Sequence, residues 1–124
     1  HYENLMADII RELGQLVDAA EQAGIPRERI IIDPGIGFGK TVEQNLKLLN
    51  HVDELQALRL PILIGPSRKS FIGYTLNLPP EERVEGTAAA VAVSIVRGAH
   101  LIRVHDVRPI VRVCRMVDAI LQAG

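Results

Sequence analysis

Apolar residues in this chain follow two rhythms that take turns along its length. Leu5, Ile9, Leu13, Leu16, Val17 and Ala20 stand three and four apart with charges between them, which predicts an amphipathic helix over residues 4–23. Gly24 and Pro26 end it. The next apolar stretch, Ile30 to Ile32, is short and continuous, as in a strand covered on both faces, and it stops at Asp33-Pro34-Gly35. Thr41 and Gln44 have the spacing of a capping box, and Leu46, Leu49, Val52 and Leu55 give the stripe of a second helix. Pro61 to Ile64 reads as a second strand, closed by the turn signal Gly65-Pro66.

Ile72 to Arg83 keeps no steady period, carries Pro79-Pro80, and predicts a loop with one turn of structure. The alanine-rich run GTAAAVAVSIVRG predicts a helix stopped at Gly98, and Leu101 to Val104 a third strand. Asp106 can cap a last helix with Pro109 in its first turn, its buried face made by Ile110, Val113, Val117, Ile120 and Leu121. The class is α/β in the order αβαβαβα. Strand ends at Asp33, Gly65 and His105 lie roughly 30–40 residues apart, the length of a βαβ unit, so the three strands should be parallel with right-handed crossovers. That fits a small open sheet or part of an eight-stranded barrel. A whole (β/α)8 barrel takes about 250 residues, so this chain, residues 1–124, would be half of one.

Composition narrows the function classes. The net charge of -1 supplies no basic field, and two Phe with two Tyr are too few for base stacking, so neither nucleic acid nor an anionic membrane is expected as a partner. No apolar run approaches the about 20 residues of a membrane span, and HYENLMADII lacks the form of a secretory signal; a cytoplasmic location is expected. The single cysteine, Cys114, reads as a small core residue. His1, His51 and His100 have no metal-ligand spacing, and no metal site is expected among these residues. The chain opens at His1 without an initiator methionine and enters a helix within a few residues, which suggests a piece of something longer.

Candidate chemistry sits at the carboxyl ends of the three strands, where parallel α/β folds build their sites. The turn DPGIGFGKT has neither the glycine spacing of a P-loop, because Pro34 stands where a glycine is needed, nor that of a dinucleotide fingerprint, because Lys40 replaces the third glycine. Asp33 alone could cap its own turn through its side chain, and Arg68 and Lys69 alone could be solvated charges. Arg103 and His105, two apart on a strand, point to one side and would converge with Lys69. An arginine fork, a lysine charge and a tunable histidine make an anion clamp, and Asp33 beside them suits a cationic or amide-like NH group. Phe38 stands in a glycine-rich loop with little core to join.

The set DPGIGFGK, GPSRKSF, GTAAA and RVHDV, in this order, resembles the C-terminal half of the dihydropteroate synthases of folate biosynthesis. The resemblance covers nearly the whole chain and implies strands six to eight of a (β/α)8 barrel, with the helix that precedes strand six. It implies a transferase that joins a dihydropterin methyl diphosphate to 4-aminobenzoate and releases diphosphate. Asp33 and Lys69 would be the catalytic, pterin-binding pair; Arg103, His105 and the Val104 backbone would hold the diphosphate; Gly37, Phe38 and Ser70 would lie near the aminobenzoate. Ile36 replaces the family's usual Phe, a change expected to be tolerated. The resemblance further implies Mg2+, with its ligand outside this chain, and a homodimer for the full-length enzyme. The fragment alone is expected to bind pterin weakly, to turn over nothing and, with strand edges unpaired, to self-associate. A pterin-binding methyltransferase domain and a non-catalytic half-barrel module are the competing readings.

Overall fold

A computed structural model describes residues 4–124; His1 lies outside the described residues. The fold is α/β, mostly helical around a small parallel sheet. Helix α1, Leu5–Gln22, starts where Asn4 accepts the Ala7 N–H at 3.2 Å. It buries Leu5, Met6, Ile9 and Val17, while Leu16 is exposed. Helix α2, Val42–Asn50, has the expected capping box: Thr41 Oγ1 accepts the Gln44 N–H at 3.1 Å, and Gln44 Oε1 accepts the Thr41 N–H at 2.9 Å. The stripe expected to continue in one helix instead passes at His51 into a 3-10 segment, Val52–Leu58, which buries Val52 and Leu55.

Strand β1 is Leu63–Ile64 and strand β2 is Leu101–Ile102, parallel, with Leu63 opposite Leu101 and Ile64 opposite Ile102. The expected first strand is reduced to one parallel bridge, Ile32 to Ile62, held by Ile32 N–H to Pro61 O at 2.9 Å and Leu63 N–H to Ile32 O at 2.8 Å. Pro61 explains the shortening: continuing the ladder toward Ile30 requires an N–H at position 61, and proline has none. The central stretch buries Leu60, Ile62 and Ile64, around which the core of α1, α2 and the 3-10 segment gathers. Strand β2 is the open side, with Leu101 exposed.

The segment expected to be a loop contains helix α3, Ser70–Leu76, and a 3-10 turn, Pro80–Glu82. Seven residues are too few to display a period, and tertiary contacts hold the helix: Phe71 and Ile72 are buried, and the Arg83 guanidinium lies where a Cβ at Gly73 would be 2.2 Å from Nη2. Helix α4, Val84–Val96, and helix α5, Val107–Gln122, follow as expected, but of the face assigned to α5 only Ile110 is buried; Ile120 is 61% exposed and Leu121 51%. In the far half of that helix Val117 is half-buried, and the last turn is left open. Asp106 occupies the cap position of α5 without a capping hydrogen bond, because its carboxylate is engaged by Arg68. Cys114, expected in the core, is half-buried, and burial pushes its thiol above the ordinary range.

Candidate functional site

The three strand ends converge. Asp33, Phe38, Lys69, Arg103, Val104 and His105, together with Gly65 and Ser67, line one cavity of ≈ 280 Å³. A groove of equal volume between α2, α3 and α4 is lined chiefly by Leu46, Leu49, Phe71, Ile72 and Val93. It has no charged group to orient a polar ligand, so the chemistry lies at the strand ends.

Asp33 sits past the Ile32 bridge. Its Oδ1 accepts the Gly35 N–H at 2.8 Å, so the carboxylate shapes its own turn while also facing the cavity. The loop that follows is tied from within. Lys40 Nζ donates to the carbonyls of Pro34 at 3.0 Å, Gly35 at 2.9 Å and Phe38 at 3.2 Å. Desolvation lowers the Lys40 pKa, opposed by the charges of Glu12 and Asp33. Asn45, buried on α2, accepts the Gly37 N–H at 2.8 Å and pins the loop to the scaffold. Phe38 at the loop's tip is 70% exposed.

Lys69 crosses above this loop. Its ammonium donates to the Ile36 carbonyl and lies 4.6 Å from the centre of the Phe38 ring. Desolvation is the main cause that lowers its pKa; Asp33 opposes the shift, and Arg103 and Lys40 add to it. Gly37 stands beneath the Lys69 stem at φ 85. Arg103 and His105 lie beyond the end of β2 at Ile102 and line the same cavity, with Val104 between them. Ser67 Oγ accepts the His105 backbone N–H at 3.0 Å and lies 2.7 Å from Nδ1 of the same residue. With one lone pair so used, the hydroxyl can still donate to Nδ1, which leaves the imidazole N–H at Nε2.

Of the residues singled out in the sequence, Asp33, Phe38, Lys69, Arg103, Val104 and His105 are brought together, and Gly37 supports Lys69. Ser70 is not among them: it opens α3, is exposed, and lines a separate depression with Tyr74, Asn77 and Arg83. Sequence reasoning missed Asn45, Lys40 and the Ser67–His105 pair as parts of the site. A polar Asn at a buried helical position was the available signal for the first. The other two depend on how loops fold back, which no period records. Among the described residues, no three His, Cys, Asp or Glu side chains could together hold a metal ion.

This cavity pairs one carboxylate and one lysine with an arginine–histidine wall. Residues 1–105 match the family of pterin binding enzymes. The chain belongs to that family. It is 49% identical over 122 residues to the dihydropteroate synthase of Clostridium beijerinckii, a match covering 98% of this chain and 45% of that protein. Two solved structures share its backbone: a Yersinia pestis dihydropteroate synthase with a pterine-sulfa conjugate (TM-score 0.98, 41% identical, all of this chain and 49% of that one), and a Xanthomonas albilineans dihydropteroate synthase in complex with 7,8-dihydropteroate (TM-score 0.96, 42% identical, all of this chain and 49% of that one). The chain thus spans about half the length of the relatives it matches. No helix among the described residues is long and apolar enough to cross a membrane.

Proposed function

We propose that these 124 residues are the C-terminal part of a dihydropteroate synthase, strands six to eight of its (β/α)8 barrel, and that the full-length protein condenses a dihydropterin methyl diphosphate with 4-aminobenzoate. The observation that carries this reading is the convergence of Asp33, Lys69, Arg103 and His105 on a single cavity. Asp33 and Lys69 hold the pterin ring. Arg103, His105 and the Val104 backbone hold the diphosphate, with Gly37 and Phe38 on the aminobenzoate side; Ser70, outside this cavity, would reach the aminobenzoate only from its rim.

The chemistry follows from that placement. The carbon–oxygen bond between the pterin methylene and the diphosphate breaks, and its electron pair leaves with the diphosphate oxygen. The charge that develops on the methylene lies beside the Asp33 carboxylate, and the charge on the leaving group beside Arg103 and His105, so both ends are stabilised by groups already in position. The aminobenzoate nitrogen donates its lone pair to the methylene, forms the carbon–nitrogen bond and gives up one proton. The same reading places a Mg2+ ligand in the part of the barrel outside these residues, and assigns the full-length protein to a homodimer in the cytoplasm.

The test is a reaction run with both substrates and with each alone, using full-length protein that carries these residues. Diphosphate release that requires both, with dihydropteroate as product, is expected; methyl transfer or no release would contradict the assignment.

A further inference from the structure

Arg68 sits between two cavity residues, Ser67 and Lys69, but is not itself a lining residue of the cavity. It adopts φ 56, a left-handed conformation that is strained for a non-glycine residue and would suit glycine better. Its neighbours hold it there from three sides. Its backbone N–H donates to Oγ1 of the fully buried Thr87 at 3.1 Å, and its carbonyl accepts from Arg83 Nη1 at 2.9 Å. Its guanidinium forks onto Asp106, with Nε on Oδ2 at 3.1 Å and Nη2 on Oδ1 at 2.6 Å.

Asp106 follows His105, and Ser67 precedes Arg68. Ser67 bonds His105 while Arg68 bonds Asp106, so two consecutive residues after β1 grip two consecutive residues after β2. β1 and β2 pair only over Leu63–Ile64 and Leu101–Ile102, so beyond them this grip joins the two loops. Lys69 directly follows the gripping pair after β1, and Arg103 and His105 belong to the segment gripped after β2.

Resting on the function proposed above, we infer that Arg68 is a positioning residue, whose bidentate bond to Asp106 sets the spacing between the pterin-side lysine and the diphosphate-side arginine and histidine. It touches neither substrate. Its action is felt when both halves of the substrate must be held at once, because a misplacement of about 1 Å can cost on the order of 10²-fold in rate.

The experiment uses full-length protein carrying Arg68→Gly, Asp106→Asn, or both. Arg68→Gly removes the fork while relieving the left-handed backbone, so the protein stays folded. The expected result is a kcat lowered roughly 10- to 100-fold, while the Kd for a pterin without diphosphate changes less than about threefold, since uniform binding is untouched. The double variant should be no worse than the more impaired single one, as for two ends of one bond. Arg68→Lys, which keeps the charge but not the fork, should behave like Arg68→Gly and serves if the glycine variant is unstable. Wild-type kcat in Arg68→Gly or Arg68→Lys, a parallel loss of pterin affinity, or additive effects in the double variant would overturn the inference. The 15N shifts of the His105 ring, read in the same variants, separate the two levels of argument. A wild-type protein with no condensation activity, whose His105 shifts still change on breaking the fork, would contradict the proposed function and leave the grip standing. Unchanged shifts and unchanged kcat in an active enzyme would contradict the grip alone.

Discussion

Gly37 and Lys69 fit together as a saddle and its rider: a Cβ built on Gly37 would stand 2.7 Å from Lys69 Cδ, inside any tolerable contact. Gly39, two residues on, shares the left-handed backbone, at φ 62 against 85, but has nothing within 4 Å of its Cβ position. Gly37→Ala and Gly39→Ala should therefore each lose about 1–2 kcal/mol of stability through the backbone. Only the former displaces Lys69, and it should lower kcat/KM of the full-length enzyme by roughly tenfold or more. Steady-state kinetics beside urea unfolding measures both; equal kinetic losses in the two variants would dissociate Lys69 from the reaction.

Asn45 connects the helical scaffold to the loop that carries Asp33 and Phe38. Replacing it with Ala leaves the Gly37 N–H without its acceptor, a loss of about 1–2 kcal/mol. Because Lys40 still ties the loop from within, the loop should loosen rather than unfold. Hydrogen exchange at Gly37 should accelerate while exchange in α1 is unaltered. Unchanged protection at Gly37 would show that Asn45 does not hold the loop.

The lowered pKa of Lys69 has a definite sign in a pH titration. Between its folded value and the ordinary 10.5 the unfolded chain binds more protons than the folded one, so stability climbs as pH rises through that window. Below the window the full cost of burying the charge is present. Lys40 shifts in the same direction, so Lys69→Met should flatten the climb without abolishing it. Urea midpoints measured from neutral pH upward for both proteins test this, and identical slopes would mean that Lys69 titrates as in open solution.

Much of this arrangement is legible in the sequence because its parts are local. The strand ends, the Thr41–Gln44 box and the same-side placement of Arg103 and His105 each follow from spacings of two to four residues. Helix α3 is illegible in the sequence because what packs against it, the Arg83 guanidinium over Gly73, comes from a residue ten positions further along the chain. The role of Arg68 was equally hidden, since its partners Asp106, Arg83 and Thr87 meet it only after folding. The apolar stripe of α5 is legible as a pattern but not as burial: periodicity says that a face seeks cover, and Ile120 and Leu121 find none among the described residues.

That uncovered face bears on the chain by itself. Leu16, Met116, Ile120 and Leu121 are all more than half exposed, and Leu101 lies on the open edge of the sheet. The 124-residue chain in isolation should self-associate, eluting well above its 13.6 kDa on size exclusion. A sharp monomer peak with cooperative unfolding would contradict this.

Among the described residues Asp33 is the sole carboxylate lining the cavity, and in the proposed reaction it stabilises charge developing on the pterin methylene. The most direct measurement is the rate of dihydropteroate formation by the full-length protein and its Asp33→Asn variant under saturating substrates. Removing the charge while keeping the side chain's shape should lower kcat by roughly 10²-fold or more; an Asp33→Asn enzyme with full wild-type activity would contradict the account.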